Sequence, residues 1–131
     1  MKKNNKGFTL AEMLIVVAII AVLIAIAIPT FMGQMTRAQR AADAANLRAA
    51  YSTAASAWLL QDNDGNTSVV INETARTVAV SGVAWTGTLD SDDDEALALP
   101  ATPDGTWPDT NNDVTATFTF NENGTVDLTV S

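Results

Sequence analysis

An apolar run near the N-terminus limits what this chain of 131 residues can fold into. Residues 13–28 are apolar without interruption, and 19 of the 21 residues in 8–28 are apolar. A helix of 21 residues is about 31 Å long, which matches the hydrocarbon core of a bilayer. The run therefore predicts a single membrane-spanning helix.

Charge divides the chain at nearly the same place. Lys2, Lys3 and Lys6 precede the apolar run without any acid, so the positive-inside rule places the N-terminus in the cytoplasm and the rest of the chain outside. Residues 62–131 hold thirteen acids against one base, Arg76. Such a surface repels nucleic-acid phosphates, which argues against direct nucleic-acid binding.

The composition also excludes several kinds of catalytic site. The chain has neither cysteine nor histidine. A Ser-His-Asp triad, a cysteine nucleophile, a thiolate or imidazole zinc site and a disulfide therefore cannot form. The sequence predicts that the protein is not an enzyme.

Two ordinary explanations compete for the apolar run. One is a secretory signal peptide, because Ala25-Ile26-Ala27 has the small-x-small pattern of a cleavage site and would leave a mature chain starting at Ile28. The other is an uncleaved anchor. Neither explains Glu12, because a carboxylate in apolar surroundings is costly unless it lies shallow enough to reach water, becomes protonated or finds a partner on another chain.

The segment KGFTLAEMLIVVAIIAVLIAIAIP resembles the leader and N-terminal helix of the type IV pilin superfamily. The resemblance rests on a basic leader ending in Gly7, a phenylalanine at Phe8, an acid at Glu12 and an apolar run closed by Pro29. It is close over about the first 35 residues and extends to the rest only in general architecture.

The resemblance implies a processing step and an assembly step. Prepilin peptidase would cut between Gly7 and Phe8 and methylate the new Phe8 amine, leaving a mature chain without lysine and with a net charge of −11. Glu12 of one subunit would then pair with the Phe8 amine of its neighbour. The two charges would neutralise each other in an apolar bundle and fix the axial register of the subunits.

The resemblance also implies a set of partners for processing and assembly. The chain would lie in the membrane as a single-pass precursor and then join a homo-oligomeric filament on the cell surface, with help from an inner-membrane assembly platform and minor pilins. A structural subunit of a type IV pilus or pilus-like filament is the expected function. The alternatives are a minor pilin or pseudopilin of a competence or type II secretion system, and an adhesin-like minor pilin.

Residues 30–61 favour a continued helix, because they contain many alanines and no proline. A bend or local loosening is expected at Pro29, which lacks a backbone donor. Two apolar stripes recur at helical spacing. They comprise Phe31, Met35, Ala38, Ala42, Ala45 and Ala49 in one case, and Leu47, Tyr51, Ala54 and Trp58 in the other.

The C-terminal residues favour β structure. Apolar and polar residues alternate in 114–120 and again in 126–130, with Asn-Glu-Asn-Gly between them, which predicts a hairpin with one apolar face. One or two strands are expected in 69–89, and a loop in 90–113. The predicted fold is α+β and pilin-like: a long N-terminal helix, half membrane-spanning and half amphipathic, packed through its aromatic stripe on a small antiparallel sheet.

Four segments are expected. They are a cleaved cytoplasmic leader at 1–7, a transmembrane and polymerisation helix at 8–29, an amphipathic continuation at 30–61 and an acidic extracellular β-rich head at 62–131.

Two further features of the head suggest binding. Oxygen-bearing residues lie at positions 1, 3, 5, 7 and 12 of an EF-hand-like loop, although Thr67 stands where the turn requires glycine. These calcium candidates are Asp62, Asp64, Asn66, Ser68 and Glu73; no other cofactor is expected. An adhesin-like minor pilin would use the 90–113 loop, where Trp107 is the first residue to test if it is exposed, whereas packing against the sheet is the ordinary expectation.

Overall fold

The computed structural model describes residues 6–61, 68–89 and 101–131. The described residues form one helix and five strands. These are α1 (Leu10–Leu60), β1 (Val69–Asn72), β2 (Thr77–Val83), β3 (Thr102–Pro103), β4 (Val114–Phe120) and β5 (Val126–Val130). The α+β class is therefore confirmed, with the sheet following the helix along the chain.

Helix α1 includes Pro29, so the prediction of a helix that continues beyond the proline is confirmed. The chain divides into two compact units between Thr36 and Arg37. Pro29 has no backbone N–H to donate. At the next residue, in the first unit, the hydroxyl of Thr30 donates to the carbonyl of Ile26 at 3.2 Å. The expected bend at Pro29 stays a prediction.

The second unit contains a five-stranded sheet in the order β1-β2-β4-β5-β3. Four strands pair antiparallel, and the hairpin of β4 and β5 has Phe118 opposite Leu128. The short strand β3 pairs parallel with β5, with Pro103 opposite Leu128. The hairpin and the two strands in 69–89 are confirmed, whereas β3 lies inside the segment predicted to be a loop.

One face of the sheet packs on the part of α1 that follows Arg37. Tyr51 contacts Phe118 edge-on, with ring centroids 5.5 Å apart, and Trp58 stacks on Phe120 at 5.3 Å. Leu47 is fully buried on the same side of the helix. The aromatic stripe therefore covers the apolar face of the hairpin, as predicted from the two periodicities.

The other predicted stripe has a different environment. Its members on the second unit are exposed, and they are Ala38, Ala42, Ala45 and Ala49. Alanine periodicity alone does not distinguish a buried face from an exposed one, because alanine favours helix in both settings. The alanines that are buried on the helix, beside Leu47, are Ala44, Ala50 and Ala54.

Candidate functional site

The N-terminus of α1 is closed by a reciprocal capping box between Thr9 and Glu12. The backbone N–H of Thr9 donates to Glu12 Oε2 at 2.8 Å, and the Thr9 hydroxyl donates to the same oxygen at 3.0 Å. In return, the Glu12 N–H donates to Thr9 Oγ1 at 3.3 Å. This arrangement satisfies two helix donors that lack an intrahelical acceptor.

The capping box gives Glu12 a partner within its own chain. Thr9 is a partner that was not expected from the sequence, where water, protonation or another chain were the alternatives for Glu12. The signal was present, because a threonine three residues before a glutamate and ahead of an apolar run is the sequence pattern of a capping box. The proposed charge pair with a second chain is not tested by a single subunit.

The predicted cleavage point lies immediately before this capping box. Gly7 and Phe8 precede the first residue of the helix, Leu10, and have no regular secondary structure. The Phe8 side chain is 84% exposed, and a side chain placed on Gly7 would meet no atom within 4 Å. A peptide bond in this setting is sterically open to a protease.

The first unit presents an apolar surface along the helix that nothing in the described chain covers. Its exposed large apolar residues include those at the start, middle and end of the run, such as Leu10, Ile20 and Phe31, at 81%, 48% and 67% exposure. By length and composition, this helix could cross a membrane. An apolar surface of this size requires lipid or other apolar helices as surroundings.

In the second unit, the carboxylate of Asp43 connects the helix to the segment after β2. Asp43 is fully buried. Its Oδ1 accepts the backbone N–H of Thr86 at 2.9 Å, and its Oδ2 accepts the hydroxyls of Thr86 at 2.7 Å and Thr88 at 3.3 Å. The sequence carries no local signal for this role, because the partners of Asp43 lie more than forty positions away.

Two more helix side chains hold the same segment. Arg40 Nε donates to the carbonyl of Thr88 at 3.1 Å, and Asn46 Nδ2 donates to the carbonyl of Ala84 at 2.8 Å. Residues 84–88 follow the end of β2, so their backbone groups have no partner in a neighbouring strand of the described sheet. Arg40, Asp43 and Asn46 provide hydrogen bonds to three of these groups. The contacts fix the loop to one side of the helix.

Trp107 is buried rather than exposed. It is 6% exposed and contacts Trp85 edge-on, with ring centroids 5.8 Å apart. Trp85 in turn donates from Nε1 to the carbonyl of Pro108 at 2.9 Å. The idea of Trp107 as an exposed adhesive residue is therefore wrong, and packing with the sheet core is confirmed.

Gly87 occupies a position that only glycine fits, which gives a first prediction. Its φ is +73°, and an added Cβ would lie 2.8 Å from the backbone nitrogen of Thr110. Replacing Gly87 with alanine is expected to lower the free energy of unfolding of the head by about 2 kcal/mol, through backbone strain and overlap. Thermal unfolding of the full chain in detergent, followed by tryptophan fluorescence, measures this change.

Gly105 provides the matched control, because its φ is +81° but an added Cβ would meet nothing within 4 Å. Replacing Gly105 with alanine keeps the strain without the overlap and is expected to cost about 1 kcal/mol. Equal losses for the two variants would contradict the contact between Gly87 and Thr110.

The calcium candidates are only partly described. Asp62, Asp64 and Asn66 lie outside the described residues, whereas Ser68 immediately precedes β1 and Glu73 lies in the turn between β1 and β2. Within 6–61, 68–89 and 101–131, no three acidic side chains are grouped so that they could hold a metal ion. The calcium site stays a prediction.

Comparison with known proteins adds independent findings. A family model described as the prokaryotic N-terminal methylation motif matches residues 2–28. The narrow-pilus major component PilA5 of Thermus thermophilus is 36% identical over 110 residues, which cover 64% of this chain and 93% of that relative. No solved structure matches the chain significantly.

Two further relatives match over shorter segments. The type IV major fimbrial protein FimA of Dichelobacter nodosus is 44% identical over 78 residues, covering 56% of this chain and 48% of the relative. The type IV major pilin protein PilA of Myxococcus xanthus is 50% identical over 48 residues, covering 37% and 22%. The chain thus spans about half or less of the length of these two relatives.

Proposed function

The chain belongs to the type IV pilin family, and from this membership we propose that it is the structural subunit of a type IV pilus or a pilus-like filament. The observation that carries the proposal is the uncovered apolar helix of the first unit, which continues in sequence into the compact second unit that contains the head. Burial of this helix among copies of itself would provide the filament core, and the acidic heads would face water.

A membrane-anchored precursor supplies the first stage of the proposed mechanism. The apolar helix would rest in the bilayer with residues 1–7 in the cytoplasm, as the three lysines favour. Prepilin peptidase would cut between Gly7 and Phe8 and methylate Phe8. Support comes from the match to the methylation motif and from the open, non-helical backbone at Gly7 and Phe8.

Cleavage would create a cation, the Phe8 amine, with which Glu12 of another chain would pair. A free α-amino group has an ordinary pKa near 8 and is largely positive at neutral pH. We propose that the Phe8 amine of one subunit pairs with Glu12 of the next as the subunit leaves the membrane. Pro29 would let this part of the helix adjust during packing, because it removes one backbone hydrogen bond.

The same family membership supports partners beyond a second copy. We propose that an inner-membrane assembly platform extracts the subunit and that minor pilins join the same filament. The three named relatives are each described as a major component, fimbrial protein or pilin, which favours a main subunit over a minor one. Trp107, the first residue to test for the adhesin alternative, is buried.

Determination of the mature N-terminus tests this proposal. We expect terminal-peptide and intact-mass measurements on the protein from its native host to give a chain starting at methylated Phe8. Sheared surface filaments should contain that mature chain as their main component. A mature chain starting at Ile28 would replace the proposal with a secreted domain released from a signal peptide.

A further inference from the structure

The two carboxylate oxygens of Glu12 have unequal surroundings. Both hydrogen bonds that Thr9 donates end on Oε2, at 2.8 Å and 3.0 Å. None of the described residues donates a hydrogen bond to Oε1. One oxygen is therefore engaged inside the chain, while the other is available to a group from outside it.

We propose that Thr9 is a positioning residue for assembly, holding Glu12 so that Oε1 faces the cation of a second copy while Oε2 stays with Thr9. This inference rests on the proposed function, because it requires filament assembly. It adds to the proposed pair of Glu12 and the Phe8 amine a separate role for each carboxylate oxygen. The capping box then persists in the filament, and Glu12 does not have to exchange one partner for another.

The physical advantage lies in preparing the carboxylate before its partner arrives. A glutamate without partners samples several rotamers, and fixing it on binding costs conformational entropy. The Thr9 hydroxyl closes a ring through Glu12 Oε2 and its own Oγ1, which accepts the Glu12 N–H. Hydrogen bonds to Oε2 also reduce the cost of holding a charged group beside the apolar run until assembly.

Valine and serine at position 9 separate the hydroxyl from the shape of the side chain. Thr9→Val keeps the branched shape and the backbone donor but removes both hydroxyl contacts, whereas Thr9→Ser keeps the hydroxyl. Thr30→Val is the matched control, because Thr30 lies in α1 and its hydroxyl donates to the carbonyl of Ile26 and not to Glu12. All three variants are tested as the full chain in a host that assembles the wild-type filament.

The readouts are the fraction of chains starting at Phe8 and the amount of sheared filament per mature chain. We expect Thr9→Val to be cleaved like the wild type but to give about fivefold less filament. The reason is that valine removes the hydroxyl contacts that cap the helix and hold the Glu12 side chain in one position. Thr9→Ser and Thr30→Val should match the wild type. Tryptophan-monitored unfolding of the head should be unchanged in every variant.

Several results would overturn the inference. Wild-type filament levels in Thr9→Val would show that the hydroxyl has no part in assembly. An equal loss in Thr9→Ser, which keeps the hydroxyl, would show that the hydroxyl contacts do not account for the effect, and a failure of Thr9→Val at cleavage would assign it to the peptidase. In each case the wild type still forms filaments, whereas a cleaved wild-type chain that forms none would instead refute the proposed function.

Discussion

Replacing Glu12 with glutamine is expected to leave cleavage before Phe8 intact and to reduce the yield of filaments at least about tenfold. Glutamine has nearly the size of glutamate and is also found at this position of capping boxes, so the hydrogen bond from the Thr9 N–H can remain. The substitution therefore removes the charge and little else. Any loss of filament reports the pairing between chains rather than the helix start.

The reason for a large effect is the group left behind on the neighbour. In a Glu12→Gln filament, the Phe8 amine would stay positively charged among apolar helices without its counter-charge. Removing one partner of a charge pair in apolar surroundings costs far more than the pair contributes as a whole. Every subunit interface repeats the same defect, so the penalty recurs with each added copy.

Measurement requires two quantities from the same cells: mature protein by terminal mass, and sheared filament by quantitative electrophoresis. Glu122→Gln is the matched control, because it makes the same change on the exposed surface of the head, where Glu122 pairs with Arg76 at 3.3 Å. This variant should assemble normally, since exposed ion pairs contribute little. Normal filament yield from Glu12→Gln would refute the proposed charge pair.

The sequence predicts those parts of the fold in which a residue pattern repeats over neighbouring positions. The helix through residues 30–60 follows from alanine content, and the β4–β5 hairpin follows from alternation on both sides of a turn. Their contact could also be predicted, because Tyr51 and Trp58 form the only aromatic stripe on that helix. Each of these features is repeated over several residues, so one exception does not hide it.

The features that sequence reasoning missed depend on single contacts between distant residues. Strand β3 is two residues long and pairs parallel with β5, which leaves no periodicity to recognise. The burial of Asp43 depends on Thr86 and Thr88, more than forty positions away. A charged residue in a helix is ordinarily exposed, so neither the residue type nor the spacing of Asp43 indicates its burial. By contrast, the contact between Thr9 and Glu12 is local and was predictable.

Replacing Asp43 with alanine is expected to lower the free energy of unfolding of the head by about 3 kcal/mol. The Thr86 N–H would lose its acceptor within the buried interface, and the hydroxyls of Thr86 and Thr88 would lose theirs. An unsatisfied buried donor costs more than the hydrogen bond contributes. For a head of this size, the melting temperature should fall by about 15 °C.

Asp43→Asn separates the loss of hydrogen bonding from the loss of volume. Asparagine keeps an acceptor for the Thr86 N–H, and the threonine hydroxyls can rotate to accept from its amide, so about 1 kcal/mol is expected. Asp113→Ala is the control for net charge, because Asp113 is exposed. Thermal unfolding of the full chain in detergent, followed by tryptophan fluorescence, to which Trp85 in the 84–88 segment contributes, reports all three variants.

These variants also test what attaches the 84–88 segment to the helix. The Asp43 contacts attach the loop to the helix on which the head is built, so their loss should separate loop from helix before the sheet unfolds. Cleavage before Phe8 should be unaffected, because it occurs in the other compact unit. If Asp43→Ala melts like Asp113→Ala, the buried carboxylate does not hold the loop, and the attachment must come from Arg40 and Asn46 alone.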